Sequence, residues 1–279
     1  MTWEGAGTDG YDTGAPPSGP ARGAAWAAIG SGAAVFAVLA AALVWIVHMQ
    51  AGVAQGPLVT NVAPRAIAAG SGEGTGAAGA ASRSPLDRVD HAWAARAAAA
   101  TGIPGRAFLA YASADLTIEA KQRDCGLGWN TLAAIGTVES ANGTYGGATL
   151  LASGYTSKRI IGVPLNGGKF ASGTVAAIPD TDHGRLDGDA RWDHAVGPFQ
   201  FIPSTWARWG ADGNGDGIAS PNQIDDAALA AARYLCARGT MTNVAGWRAA
   251  VLSYNVSNAY ANQVADIANR YAADVSGLS

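Results

Sequence analysis

Apolar residues recur at helical spacing through most of the second half of the chain. In "NAYANQVADIANRYAADV", Tyr260, Val264, Ile267 and Tyr271 stand at i, i+4, i+7 and i+11, one stripe of a helix whose first duty is packing. In "GWNTLAAIGTVES", Leu132, Ile135 and Gly136 form a second stripe, and Glu139 completes it at i+7. The same pattern predicts helices in "DRVDHAWAARAAAA", stopped by "TGIPG", and in "RAFLAYASADLTIEAKQRD", "PSTWARWG", "DDAALAAARYLCARG" and "VAGWRAAVLSYN". Residues 141–193 break it: glycines, two prolines and short β-rich pieces such as "RIIGVPL" predict a loop-rich insert with a small hairpin.

The N-terminal side is patterned differently. Residues 24–47 are an uncharged run with no polar face, long enough to cross a hydrocarbon core of roughly 30 Å. The preceding 1–23 tail is polar and acidic (Glu4, Asp9, Asp12), unlike the n-region of a signal peptide, so the run is expected to be an uncleaved anchor. Arg22 beside its N-terminal end favours an extracytoplasmic C-terminus. Residues 48–85, with "AAGSGEGTGAAGAASRSP", are expected to be a linker, and residues 86–279 one mainly α domain.

Composition sharpens one feature. Only 14% of residues are charged and the net charge is −3, which leaves no basic footprint for nucleic acid. In so sparing a chain a carboxylate on an apolar stripe stands out. Glu139 is either a structural carboxylate or an acid whose neutral form is favoured by desolvation, as protonation of a glycosidic oxygen requires. Cys125 and Cys236 are the only cysteines. An even pair in a chain that leaves the cytoplasm suggests one disulfide, with two unrelated buried thiols the alternative.

"DGNGDGIASPNQIDD" has Asp212, Asn214 and Asp216 at positions 1, 3 and 5 of a calcium loop, Gly217 at 6 and the Ile218 carbonyl at 7. Position 12 is Gln223 rather than Glu, and an Asp/Gly turn without metal is the alternative reading. His48, His91, His183 and His194 lack zinc-ligand spacing, and no Gly-x-Ser-x-Gly elbow is present.

The segment "RWDHAVGPFQFIPSTW", with "GTVES" upstream and "LSYN" downstream, resembles the lytic murein transglycosylases. The membrane-bound B type, with its goose-lysozyme-like fold, is the nearest resemblance, and it covers essentially residues 86–279. It implies a lysozyme-like α-helical domain with a small β/loop insert. Glu139 would be the catalytic acid/base, with Ser140, Gln200, Tyr234, Tyr254, Asn255 and Tyr260 as substrate-binding positions. Some members have Ser where Arg191 precedes Trp192, so that contact does not carry over. Enlarged calcium loops of the family take their last acid fourteen residues after the first, which is Asp226, with Asp225 its adjacent rival.

The implied reaction cleaves the bond between N-acetylmuramic acid and N-acetylglucosamine, leaves 1,6-anhydro ends and needs no cofactor beyond a structural calcium. The implied partners are peptidoglycan strands and, through the anchor, the cell membrane. A lysozyme-type hydrolase would instead draw a second carboxylate from Asp182, Asp187 or Asp189. A non-catalytic glycan-binding envelope protein would have no use for a buried acid.

Overall fold

In the computed structural model, residues 59–67, 84–170 and 173–278 are described. The tail, the expected anchor 24–47 and most of the expected linker lie outside them. Among the described residues no helix is long and apolar enough to cross a membrane. The described residues belong to the unit His48–Ser279.

Seven α-helices are found among the described residues: α1 (His91–Thr101), α2 (Gly105–Lys121), α3 (Trp129–Ser140), α4 (Pro203–Trp209), α5 (Ile224–Cys236), α6 (Val244–Tyr254) and α7 (Asn258–Asp274). Their starts follow local chemistry. Asp90, Asn243 and Ser257 accept backbone N–H groups in the first turns of α1, α6 and α7, and Pro203 opens α4. The α3 helix has only Gly128 at its cap, so a carboxylate from α2 substitutes: Asp115 Oδ2 accepts the Trp129 N–H at 2.7 Å.

The α2 helix is central, packed by α1, α3 and α5, while α7 covers the other side of α3. Trp93, Phe108 and Trp129 interlock with ring centroids 4.6–6.3 Å apart, which fixes α1, α2 and α3 together. The Cys125–Cys236 disulfide joins the turn before α3 to the end of α5, closing a sequence separation of 111 residues. The paired-cysteine reading holds.

The insert is richer than a single hairpin. The strand β1 (Ile161–Pro164) pairs antiparallel with β4 (His194–Val196), and β2 (Lys169–Phe170) pairs antiparallel with β3 (Gly173–Thr174). His194 bridges the Gly162 carbonyl at 2.8 Å and Asp189 Oδ2 at 3.3 Å.

The linker reading needs a correction. Residues 59–67, inside the 48–85 stretch, are a strap on the helical domain. Val59 is buried, and the fully buried Asn130 amide donates to the Thr60 carbonyl at 2.9 Å and accepts the Val62 N–H at 3.3 Å. Backbone bonds Asp90 N to Arg65 O (2.8 Å) and Ile67 N to Arg88 O (2.9 Å) complete it. The partners lie at least twenty residues away in sequence, so no local periodicity announces the docking.

Candidate active site

Glu139 sits in the last turn of α3, half-buried on the apolar stripe. The helix then stops in left-handed backbone, Ala141 at φ 50° and Asn142 at φ 60°, with the Ala141 and Asn142 N–H groups returning to Thr137 and Gly136 carbonyls. Neither residue is glycine, so the conformation is strained and is held from outside. Asn142 is buried, and its Oδ1 accepts the Tyr111 hydroxyl at 2.9 Å and the Thr137 hydroxyl at 3.3 Å. Gly136 makes this lock feasible, because the Tyr111 hydroxyl occupies the space of its absent Cβ.

A mid-helix glycine, unfavourable by about 1 kcal/mol relative to alanine, was the one sequence signal of that approach. Tyr111 and Asn142 themselves were missed.

Among the described residues one side chain hydrogen-bonds Glu139: the Tyr260 hydroxyl donates to its Oε1 at 2.6 Å. Among the described residues no cation pairs with it. Burial pushes the Glu139 carboxyl up to about 7, and the Tyr260 hydrogen bond pulls the other way. Burial, and then the Glu139 charge, also raise the Tyr254 and Tyr260 phenols, which therefore remain protonated donors.

Gln200, Tyr234 and Tyr254 line one cavity of about 160 Å³ with Phe201 and Ser253. The Tyr254 hydroxyl donates to the Phe199 carbonyl (2.7 Å) and the Tyr234 hydroxyl to the Ser253 carbonyl (2.5 Å). The two rings stand edge to face at 5.5 Å. With their protons spent on backbone, these tyrosines offer ring surface to a ligand. Gln200 adopts φ 50° and donates from Nε2 to the Gly197 carbonyl at 2.8 Å, closing the Gly197-Pro198 turn.

Asn255 is exposed just past α6, and its Oδ1 accepts the Ser257 N–H at 3.1 Å. Ser140 is corrected. It is 1% exposed, donates to the Pro198 carbonyl at 2.6 Å and accepts the Gly143 N–H at 2.8 Å, so it braces the 198–200 turn against α3 and does not face a ligand.

The carboxylates of the insert are occupied with backbone. Asp182 accepts from Arg185 and Leu186, Asp187 from Asp189 and His194, and Asp189 from Arg191. Asp180, Asp182 and Asp193 bring oxygens within 4.8 Å of one another, the only such acid trio among the described residues. Asp193 is fully buried and accepts both the N–H and the hydroxyl of Thr181.

In the 212–226 loop, Asp212 gathers the N–H groups of Gly215, Asp216 and Gly217, and Gly217 takes φ 87°. Asp225 pairs with Arg106 and points away from the loop, whereas Asp226 accepts from Gly213 and Ser220. Burial, and less strongly Asp212, push Asp226 up to about 6. An oxygen-only set facing a carboxylate without a counter-charge is of the kind that fits a hard cation such as calcium, and of the two adjacent acids Asp226 faces the loop while Asp225 is held by Arg106. Its acids are not drawn together as tightly as the 180–193 trio.

The family model described as the transglycosylase SLT domain matches residues 95–251, more than half of the chain. No curated protein and no solved structure matches.

Proposed function

The chain belongs to the transglycosylase SLT domain family and is a peptidoglycan lytic transglycosylase; from that premise we propose that Glu139 performs both proton transfers of the reaction. The protonated carboxyl donates to the glycosidic oxygen between N-acetylmuramic acid and N-acetylglucosamine. The C1–O bond breaks as the leaving sugar takes that proton. The Glu139 carboxylate then removes the proton of the muramoyl C6 hydroxyl, whose oxygen closes onto C1. The product is a 1,6-anhydro ring, the carboxyl is again protonated, and no water is consumed.

The observation that carries this reading is the Glu139 carboxyl, desolvated and half-buried, with the Tyr260 phenol as its hydrogen-bond partner. Tyr260 would aim the proton, and the cavity of Gln200, Tyr234 and Tyr254, linked to the acid through Tyr254, would offer the glycan its surface. Asn255 stands at the exposed rim. Digestion of purified peptidoglycan in heavy-oxygen water tests the chemistry. Muropeptides one water lighter than hydrolysis products, with unlabelled ends, are expected. Labelled reducing ends as the main product would replace this reading with the lysozyme one.

Two further expectations belong to the same proposal. Calcium bound by Asp212, Asn214, Asp216, the Ile218 carbonyl and Asp226 would brace the start of α5 and take no part in the chemistry. It should stabilise the fold by RT ln(1 + [L]/Kd), read as a rise in Tm after chelation and readdition. Asp226→Ala should abolish that rise, and a Tm indifferent to calcium would remove the site. Residues 24–47 would hold the enzyme to the membrane with the catalytic domain outside the cytoplasm. Release of the full chain from membranes by alkaline carbonate would contradict that.

A further inference from the structure

Among the described residues Arg248 is the only Lys or Arg with a buried side chain, at 3% exposure. No carboxylate forms a salt bridge with it, and its Nε finds no partner in the protein. Burying a guanidinium this way is costly, and an apolar side chain would join the same helices at less expense. What the charge does hold is specific. From α6, Nη2 donates to Asn258 Oδ1 at 2.9 Å and Nη1 to Asn262 Oδ1 at 2.8 Å. These acceptors are four apart, so they lie on one face of the first turns of α7. Tyr260 falls between them in sequence and is turned roughly 200° from Asn258, onto the opposite face. That face carries the hydroxyl that donates to Glu139.

We infer that Arg248 is a positioning residue which fixes the rotation of α7 and thereby keeps the Tyr260 hydroxyl on Glu139. A planar fork with two donors suits this task, since two bonds to one helix face set its rotation where one bond would leave a pivot. The inference rests on the proposed role of Glu139. The groups that face that carboxyl are the phenols of Tyr260 on α7 and Tyr254 on α6, and no cation among the described residues pairs with it. Loss of the Tyr260 bond therefore has a readable signature: Glu139 holds its proton to higher pH.

The experiment uses the full chain acting on purified soluble glycan strands, with anhydro ends counted by mass spectrometry across pH. Tyr260→Phe should move the alkaline limb of kcat/KM upward by about one pH unit. Arg248→Met should move it the same way by less, lowering kcat roughly 3- to 10-fold with KM changed little. On the Tyr260→Phe background Arg248→Met should add nothing further, because both changes act through one bond. If Arg248→Met does not fold, Asn258→Ala and Asn262→Ala, at exposed positions, carry the same test.

A folded Arg248→Met enzyme with an unmoved limb, or losses that add to those of Tyr260→Phe, would overturn the inference and leave the role of Glu139 standing. An unmoved limb in Tyr260→Phe itself would remove the Tyr260–Glu139 coupling, and this inference with it.

Discussion

Glu139 and the aspartates of the 141–193 insert carry the same functional group in opposite settings. Glu139 has one hydrogen-bond donor and is raised to about 7 by burial. Asp180 and Asp189 accept two backbone N–H groups and one N–H plus His194, respectively, and their carboxyls are held below the usual range by those bonds. A carboxylate surrounded by donors is stabilised as an anion and becomes part of a turn. A carboxyl deprived of them keeps its proton to neutral pH and can give it away. The contrast lies in the environment, which makes it testable at both ends.

The largest expected effect is at Glu139. Glu139→Gln keeps the volume and removes the acidic proton, so turnover should fall by at least 10²–10⁴-fold with the circular dichroism spectrum unchanged. Undiminished activity in the folded variant would end the contrast. Next is the pH profile: kcat/KM should fall about tenfold per unit above pH 7, because the acid form is the one required. A limb near 4.5, the ordinary value, would mean that burial does not tune this group.

Stability should then respond in opposite directions. The native state binds the Glu139 proton more tightly than the unfolded chain, so this contribution is complete below pH 4.5 and is lost as pH rises towards about 7. Glu139→Gln should therefore be the more stable protein at pH 8, by on the order of 2–3 kcal/mol, with the gap closing by pH 4.5. Thermal melts at the two pH values read this directly. For Asp180 and Asp189 the sign reverses: their contribution is present above the unfolded value of 3.8 and is lost as pH falls through their lower native values. Asp180→Asn and Asp189→Asn should each lower Tm at pH 7 by about 1–3 °C and leave kcat unchanged. A large loss of turnover in Asp189→Asn would give that carboxylate a chemical role and revive the hydrolase reading.

Legibility in the sequence followed the range of the interactions. The helices could be read because each carries its own apolar pattern, and α3 ends at Ser140 as its pattern predicts. Glu139 could be read because a wheel shows a carboxylate among apolar neighbours. Ser140, one step and roughly 100° further round the helix, is a substrate-binding position by resemblance, and its hydroxyl is buried against the Pro198 carbonyl. Nothing local distinguishes Asp226 from Asp225: what sets them apart is Arg106, more than a hundred residues upstream, which pairs with Asp225. The Asn142 lock and the Arg248 clamp are likewise tertiary: their partners are recognisable only once α2, α3, α6 and α7 are side by side.

The docked strap moves the border at which this unit can be dissected. A fragment begun at Leu86, where helical patterning starts, would leave the buried Asn130 amide without the Thr60 carbonyl and the Val62 N–H, and would strip the cover that Val59 provides. It would also deprive Asp90, the cap of α1, of the Arg65 carbonyl for its own N–H. A fragment begun ahead of Val59 keeps all of these. The smallest piece that keeps its surfaces closed is therefore longer than its helices, because a short stretch without helical patterning carries part of the enclosure.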